Sequence, residues 1–126
     1  MRSPTTPAPP KNPYFNNPER APYELGHLLL QLPENFSPFI PQPENILLKA
    51  SAAVSHAYSA NHVLMHGLES LGKMLMVVGT NEEWAIDNDA LINLGLLIQH
   101  VAVEAQFMQE TETHLSFTLR HQAKMQ

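Results

Sequence analysis

One repeating pattern constrains this chain more than any other feature of its sequence. Between residues 47 and 78, small or apolar side chains recur at alternating steps of three and four residues, the spacing of a helix that packs lengthwise against another helix. The series is Leu47, Ala50, Val54, Ala57, Asn61, Leu64, Leu68, Leu71, Leu75 and Val78. Only Asn61 in this series is polar. The pattern predicts a long helix and assembly through helix packing, and it does not specify a function.

A second series of the same kind follows after a short break. It comprises Leu91, Leu94, Ile98, Val101, Ala105, Met108, Glu112, Leu115 and Leu119. Two long helices joined by a short turn lie antiparallel, and we predict them over about 44–79 and 81–119, with a frayed tail at 120–126. Gly79 is expected to end the first helix in a left-handed conformation. The second helix has two candidate starts, a capping box near Asn81 and a later one near Asn88.

Proline divides the chain into a leader and a helical part. All 11 prolines lie between Pro4 and Pro43. Residues 1–22 are too polar and too rich in proline to bury a core, so they predict a flexible leader anchored by Tyr14 and Phe15, or a proline-rich ligand for a partner's aromatic groove. Residues 23–43 predict a short amphipathic helix and then an extended link. The stripe of that helix is Leu25, Leu28, Leu29 and Leu32.

The apolar faces of the two long helices are wider than a bare hairpin can cover. Cover can come from residues 23–43, from a second copy or from another protein, and we expect the first two together. The predicted fold class is therefore all-α: a long antiparallel helical hairpin with a short N-terminal helix and an extended Pro-rich arm, completed as a dimeric four-helix bundle. The expected interface residues are Leu47, Val54, Asn61, Leu64, Leu68, Leu71, Leu75, Leu91, Leu94, Ile98, Val101 and Met108.

Composition argues against several classes of function. The formal net charge is −5 with only 7 scattered basic residues, which disfavours nucleic acid as a partner. The chain has no cysteine, so disulfides, thiolate nucleophiles and Cys-based zinc sites are excluded. No secretory signal or apolar run near the ~20 residues of a membrane helix is evident, so we expect a cytoplasmic protein. Phosphate loops, nucleophile elbows and dinucleotide glycine patterns are also missing, and we expect neither enzyme activity nor a cofactor.

Two histidines and a glutamate on the first long helix are candidate metal ligands. His62, His66 and Glu69 have a spacing that can direct two imidazoles and one carboxylate at one metal ion. They lie opposite the seam without a second ligand cluster, so we expect surface side chains and no metal. His56 and His100 are expected at the edges of the helix contacts.

Asn61 has two open readings: it fixes the register or partner number of the bundle, or it lies at an edge bonded to water. The acidic residues near the turn also have two readings. Glu82, Glu83, Asp87 and Asp89 can imitate nucleic-acid charge, or they form an ordinary solvated face, which we expect. Trp84 is expected to pack over the closed end of the hairpin.

The layout resembles a family of short, uncharacterised bacterial proteins with a Pro-rich leader, here TTPAPPKNPY, a middle link and an Ala-rich helical hairpin. The hairpin is carried here by ENILLKASAAVSHAYSANHVLMHGLESLGKML and ALINLGLLIQHVAVEAQFM. The resemblance implies no activity and no site residues. This chain departs from the family in its longer aromatic link, YELGHLLLQLPENFSPFIPQP.

We therefore expect a non-enzymatic protein–protein interaction module, a small regulator or phage-type inhibitor of a larger bacterial complex. The alternatives are a metal-binding bundle using His62, His66 and Glu69, and an acidic mimic of nucleic acid. If the seam is buried, Leu68→Ala or Leu71→Ala is expected to cost ~2–5 kcal/mol of stability.

Overall fold

A computed structural model describes residues 12–81, 83 and 86–125 of the chain. Its regular elements are a 3₁₀ turn at Pro18–Arg20 and three α-helices: α1 at Ala21–Gln31, α2 at Glu44–Thr80 and α3 at Asn88–Met125. Helix α2 packs against both α1 and α3. The prediction of an all-α chain with two long packed helices is confirmed. The predictions for residues 1–11, Glu82 and Trp84 concern positions outside the described residues.

The turn between the long helices differs from the prediction. Helix α2 runs through Gly79, which does not adopt a positive φ, so the left-handed cap predicted there is wrong. Asn81 ends the helix in an extended conformation. Helix α3 begins at the later of the two candidate starts, because the Asp87 carboxylate accepts a hydrogen bond of 2.7 Å from the Ala90 N–H. This side-chain cap satisfies a backbone donor that the first turn leaves without an intrahelical partner.

Helix α3 also continues past residue 119, where a frayed tail was expected. The reason is Gln122, which is only 3% exposed. Its amide Nε2 donates hydrogen bonds to the carbonyl oxygens of Ser37 at 2.8 Å and Ile40 at 2.6 Å. Its Oε1 accepts a hydrogen bond of 3.3 Å from the Gln42 N–H. This group of contacts, here called the Gln122 clasp, ties the link after α1 to the last turns of α3.

The core lies in the half of the hairpin that α1 covers. The predicted stripe of α1 faces inward: Leu25 and Leu28 are buried, and Leu29 and Leu32 pack against the same cluster. Small side chains on α2 allow the backbones of α1 and α2 to approach closely. The α2 and α3 members of the cluster are Ala52, Ala53, Ala57, Ala60, Met108 and Leu115.

The described part of the N-terminal segment lies on α2. The Asn12 amide donates a hydrogen bond of 2.7 Å to the Leu48 carbonyl oxygen. The Lys49 ammonium lies 5.3 Å from the centre of the Tyr14 ring, and the Phe15 ring lies 4.7 Å from that of His56. Tyr14 and Phe15 therefore do act as anchors, and residues 12–22 form part of the folded structure.

Helix α1 runs antiparallel to α2. Glu24, in the first turn of α1, lies close enough to act electrostatically on His56, while the link after α1 is held by the Gln122 clasp beside the start of α2. The N-terminal end of α1 therefore points toward the turn of the hairpin. Its cover ends near Ala60 and Leu64.

Candidate functional site

Beyond the cover of α1, the outward faces of the two long helices are exposed in the part of the chain that the structure describes. We call residues 61–80 of α2 and 88–104 of α3 the distal half, and residues 44–60 and 105–125 the proximal half. Many apolar side chains of the distal half are about half exposed or more. They are Val63, Met65, Met74, Met76, Val77, Leu91, Ile92, Leu96, Leu97 and Val103. An exposed apolar surface of this extent is typical of a protein or membrane interaction site.

The seam residues predicted as the interface lie between α2 and α3 of the same chain. Leu64, Leu68, Leu71 and Leu75 are partly buried rather than fully exposed, as are Asn61 and Val78, and their counterparts on α3 are Leu94, Ile98 and Val101. Leu91 is 48% exposed. In the proximal half Met108 is buried, and Leu47 and Val54 are partly buried. Most of the apolar side chains that are about half exposed or more lie on the flanks of the seam, and the three–four spacing of the seam did not predict their exposure.

The distal part of α3 is rich in apolar residues. Between Ala90 and Val103 it carries no Asp, Glu, Lys or Arg, and its polar residues there are Asn93, Gln99 and His100. Among the described residues α3 is the one helix long and apolar enough to cross a membrane, with an 18-residue window of mean hydropathy 1.3 that is 11% buried. Core helices of soluble proteins satisfy the same criteria.

A groove runs along one side of the distal half, and we call it the distal groove. It encloses about 320 Å³ and is lined almost wholly by apolar atoms. The lining residues are Val63, Leu64, Gly67, Leu68, Ser70, Leu71, Met74, Leu97 and Val101. The groove has the dimensions and chemistry to accept apolar side chains from another helix.

The two polar residues in the seams line one and the same space. Asn61 from α2 and Glu112 from α3 both face a second groove of about 600 Å³, together with Tyr58, Ala102 and Gln109. This groove lies at the border between the proximal and distal halves. Asn61 and Glu112 therefore lie where the covered proximal half meets the exposed distal half.

The candidate metal ligands are only partly brought together. The rings of His62 and His66 lie 4.2 Å apart at the exposed surface of α2. Glu69 instead forms an ion pair with Lys73, with 3.4 Å between the Glu69 Oε1 and Lys73 Nζ atoms. Within residues 12–81, 83 and 86–125 no three His, Cys, Asp or Glu side chains converge on a point that a metal ion can occupy.

His56 is not the edge residue that the sequence suggested. It is 0% exposed, and neither ring nitrogen has a hydrogen-bond partner among the described residues. Desolvation lowers the pKa of His56 below its ordinary value of 6.5, while the negative charge of Glu24 opposes this shift. Burial under α1 and Phe15 is the reason, and the nearby small residues of α2 were the only sequence signal that another element packs there. His100 does lie at the surface, 3.8 Å from Glu104.

The acidic residues of the turn are exposed. Glu83, Asp87 and Asp89 all face solvent, and Asp87 uses one oxygen to cap α3. Glu82 lies outside the described residues. The negative charge therefore collects at the tip of the hairpin, away from the proximal core.

Comparisons of this chain with family models, with curated proteins and with solved structures gave no match. The resemblance to short bacterial proteins with a Pro-rich leader thus stays a prediction from sequence. The exposed apolar surface of the distal half is therefore the structural feature that bears on function.

Proposed function

We propose that this protein is a non-enzymatic protein–protein interaction module that acts through the distal half of its hairpin. Its first partner is a second copy of the chain, which completes a four-helix bundle. The observation that carries the proposal is the apolar, uncovered surface of α2 and α3 beyond Ala60. Aliphatic side chains and methionines supply adhesion but no proton transfer or nucleophile, so this surface is suited to binding rather than to catalysis.

The exposed apolar side chains of the distal half support self-association. Its ten large apolar side chains named above are 48% to 72% exposed in the single chain. Packing against a second copy removes apolar surface of this kind from water, which is the main favourable contribution to protein association.

Charge favours a protein partner over a lipid surface. Helices that lie on membranes carry Lys and Arg beside their apolar face, because lipid headgroups are often anionic. The first basic residue of α3 is Arg120, far from its apolar part. The outer face of α2 bears the Glu69–Lys73 pair with His62 and His66. Placing this hairpin in hydrocarbon would bury that pair at a high desolvation cost.

Light scattering coupled to size-exclusion chromatography tests the proposal. We expect twice the chain mass for the wild type. Leu97→Lys, which places a charge in the distal groove, is expected to convert the protein to a monomer because the ammonium cannot be desolvated in an apolar contact. Leu30→Lys is the matched control: Leu30 is 85% exposed on α1, outside the distal half, so this variant stays dimeric.

A monomeric wild type at tens of micromolar contradicts the proposed dimer, as does loss of dimerisation in the Leu30→Lys control alone. Flotation with neutral and anionic lipid vesicles tests whether the distal half binds a membrane instead of a protein. Recovery of wild-type protein with the vesicles, and its loss in Leu97→Lys, assigns the distal half to a membrane and overturns the proposal.

Within this class we propose a cytoplasmic regulator or phage-type inhibitor of a larger bacterial complex, in keeping with the small size and acidity of the chain. Purification from the native host, with Leu97→Lys and Leu30→Lys as paired baits, tests this step. A bound complex that Leu30→Lys retains and Leu97→Lys loses is the expected result. Equal recovery with both baits contradicts a role for the distal half.

A further inference from the structure

We infer that the second copy docks antiparallel onto the distal groove. In the resulting assembly the hairpin tip of each chain lies end to end with α1 of the other chain, on the same side of the bundle. This inference rests on the proposed function, since it presupposes a dimer. It adds the face that is used, the relative direction of the two chains and the role of α1 as the element that sets the overlap.

The face follows from continuity with an interface that already exists inside the chain. Helix α1 covers a line of α2 that includes Ala53, His56 and Ala60, all buried. The same line continues at steps of three and four residues through side chains that line the distal groove, namely Val63, Gly67, Ser70 and Met74. The groove is therefore the uncovered extension of the surface of α2 that binds α1. A helix from a second copy can pack against this groove in the same way that α1 packs against the proximal half.

Steric exclusion sets the direction. Packed helices lie 8–10 Å apart. In a parallel dimer joined through this face, the two α1 helices meet each other and hold the distal grooves about one further helix diameter apart. In an antiparallel dimer each distal half enters the space beyond the other chain's α1. Only this second arrangement lets both grooves be filled at once.

Electrostatic repulsion favours the same direction. The tip of each hairpin carries the exposed acidic residues Glu83, Asp87 and Asp89. A parallel dimer brings these two acidic clusters together, which disfavours it by like-charge repulsion. An antiparallel dimer places them at opposite ends. Each tip then lies near the start of α1 of the other copy, where Glu19, Arg20 and Glu24 sum to one negative charge, which is less than that of a second acidic tip.

The length of the bare stretch fixes the overlap. Residues 61–80 of α2 span roughly 30 Å at 1.5 Å per residue. If each tip stops at the α1 of the other copy, the two-fold axis passes near Ser70 and Leu71. Gly67 lies close to this axis, and a Cβ added to it meets no heavy atom within 4 Å. The resulting open space allows a second helix to approach closely.

Cross-linking tests this arrangement cleanly because the chain has no cysteine of its own. Three single-cysteine variants are treated with a short bismaleimide and analysed by denaturing electrophoresis. Ser70→Cys, in the groove near the axis, is expected to form covalent dimers. Lys73→Cys, one turn along on the outer face of the same helix, is the matched control and stays monomeric. Asp87→Cys, at the tip, also stays monomeric, because the two tips are roughly 30 Å apart.

Each other pattern overturns the inference. Strong cross-linking of Asp87→Cys indicates a parallel dimer, and preferential cross-linking of Lys73→Cys indicates another face. Light scattering on the untreated variants distinguishes a failure of the proposed dimer from a failure of the antiparallel arrangement. A monomer contradicts the proposed dimer itself, whereas a dimer without the Ser70→Cys product contradicts only the antiparallel docking.

Discussion

At the scale of single residues, His56 is the group whose burial has the clearest energetic consequence. It sits beneath Phe15 and α1 with no hydrogen-bond partner for either ring nitrogen among the described residues. An unsatisfied buried polar group costs about 1–3 kcal/mol. An apolar side chain of similar size at this position would therefore make the folded protein more stable than His56 does.

Its titration gives a prediction for the dependence of stability on pH. Desolvation holds the pKa of His56 in the folded protein below 6.5, with Glu24 opposing the shift. Well above pH 6.5 neither the folded nor the unfolded state binds the proton, so this contribution to stability is complete. As the pH falls below that value the unfolded chain takes up the proton first, and the free energy of unfolding decreases, by at most ~1.4 kcal/mol per pH unit for one proton. Urea denaturation between pH 7.5 and 5 measures this loss.

His56→Leu isolates the effect. This variant is expected to be more stable than the wild type at pH 7.5 by about 1–3 kcal/mol, since it removes the unsatisfied nitrogens. It is also expected to show a smaller decrease in stability on acidification. An identical pH dependence in the two proteins would show that other groups cause it.

At the scale of elements, the two halves of the hairpin differ in how well they are packed. Leu25 of α1 is 1% exposed in the proximal core, so Leu25→Ala is expected to cost about 2–5 kcal/mol. Leu71 in the distal half is only partly buried, so Leu71→Ala should cost clearly less in dilute monomer. Chemical denaturation at low protein concentration makes this comparison. Equal losses would mean that the distal seam is as well packed as the core.

The sequence predicted most of these elements and missed what joins them. The three–four spacing of Leu64, Leu68 and Leu71 is a local property of one helix, and it correctly predicted a long packed helix. The depth of His56 depends on where α1 lies, which no local pattern encodes. The Gln122 clasp joins residues about 80 positions apart, and a single polar residue in a polar tail gave no indication of it. The exposed flanks of the distal half were likewise visible only after α1 had been placed.

For the whole molecule, self-association and folding are linked. A dimer that forms only from folded chains stabilises them in proportion to the logarithm of concentration. We expect the thermal midpoint of the wild type to rise when the protein concentration is increased a hundredfold, and that of Leu97→Lys to stay constant. Scanning calorimetry at two concentrations measures both. A midpoint that is independent of concentration in the wild type would contradict the proposed dimer.

The Gln122 clasp has a consequence for how the chain matures on the ribosome. Its two sides, Gln42 and Gln122, are 80 residues apart, which corresponds to roughly 4–16 s of synthesis at 5–20 residues per second. During that interval the nascent chain can form its first helices but cannot form the Gln122 clasp, which joins the link after α1 to the last turns of α3. A chain that ends before Gln122 therefore has its exposed apolar surface but lacks the clasp, and we expect chaperones and proteases to remove such a product.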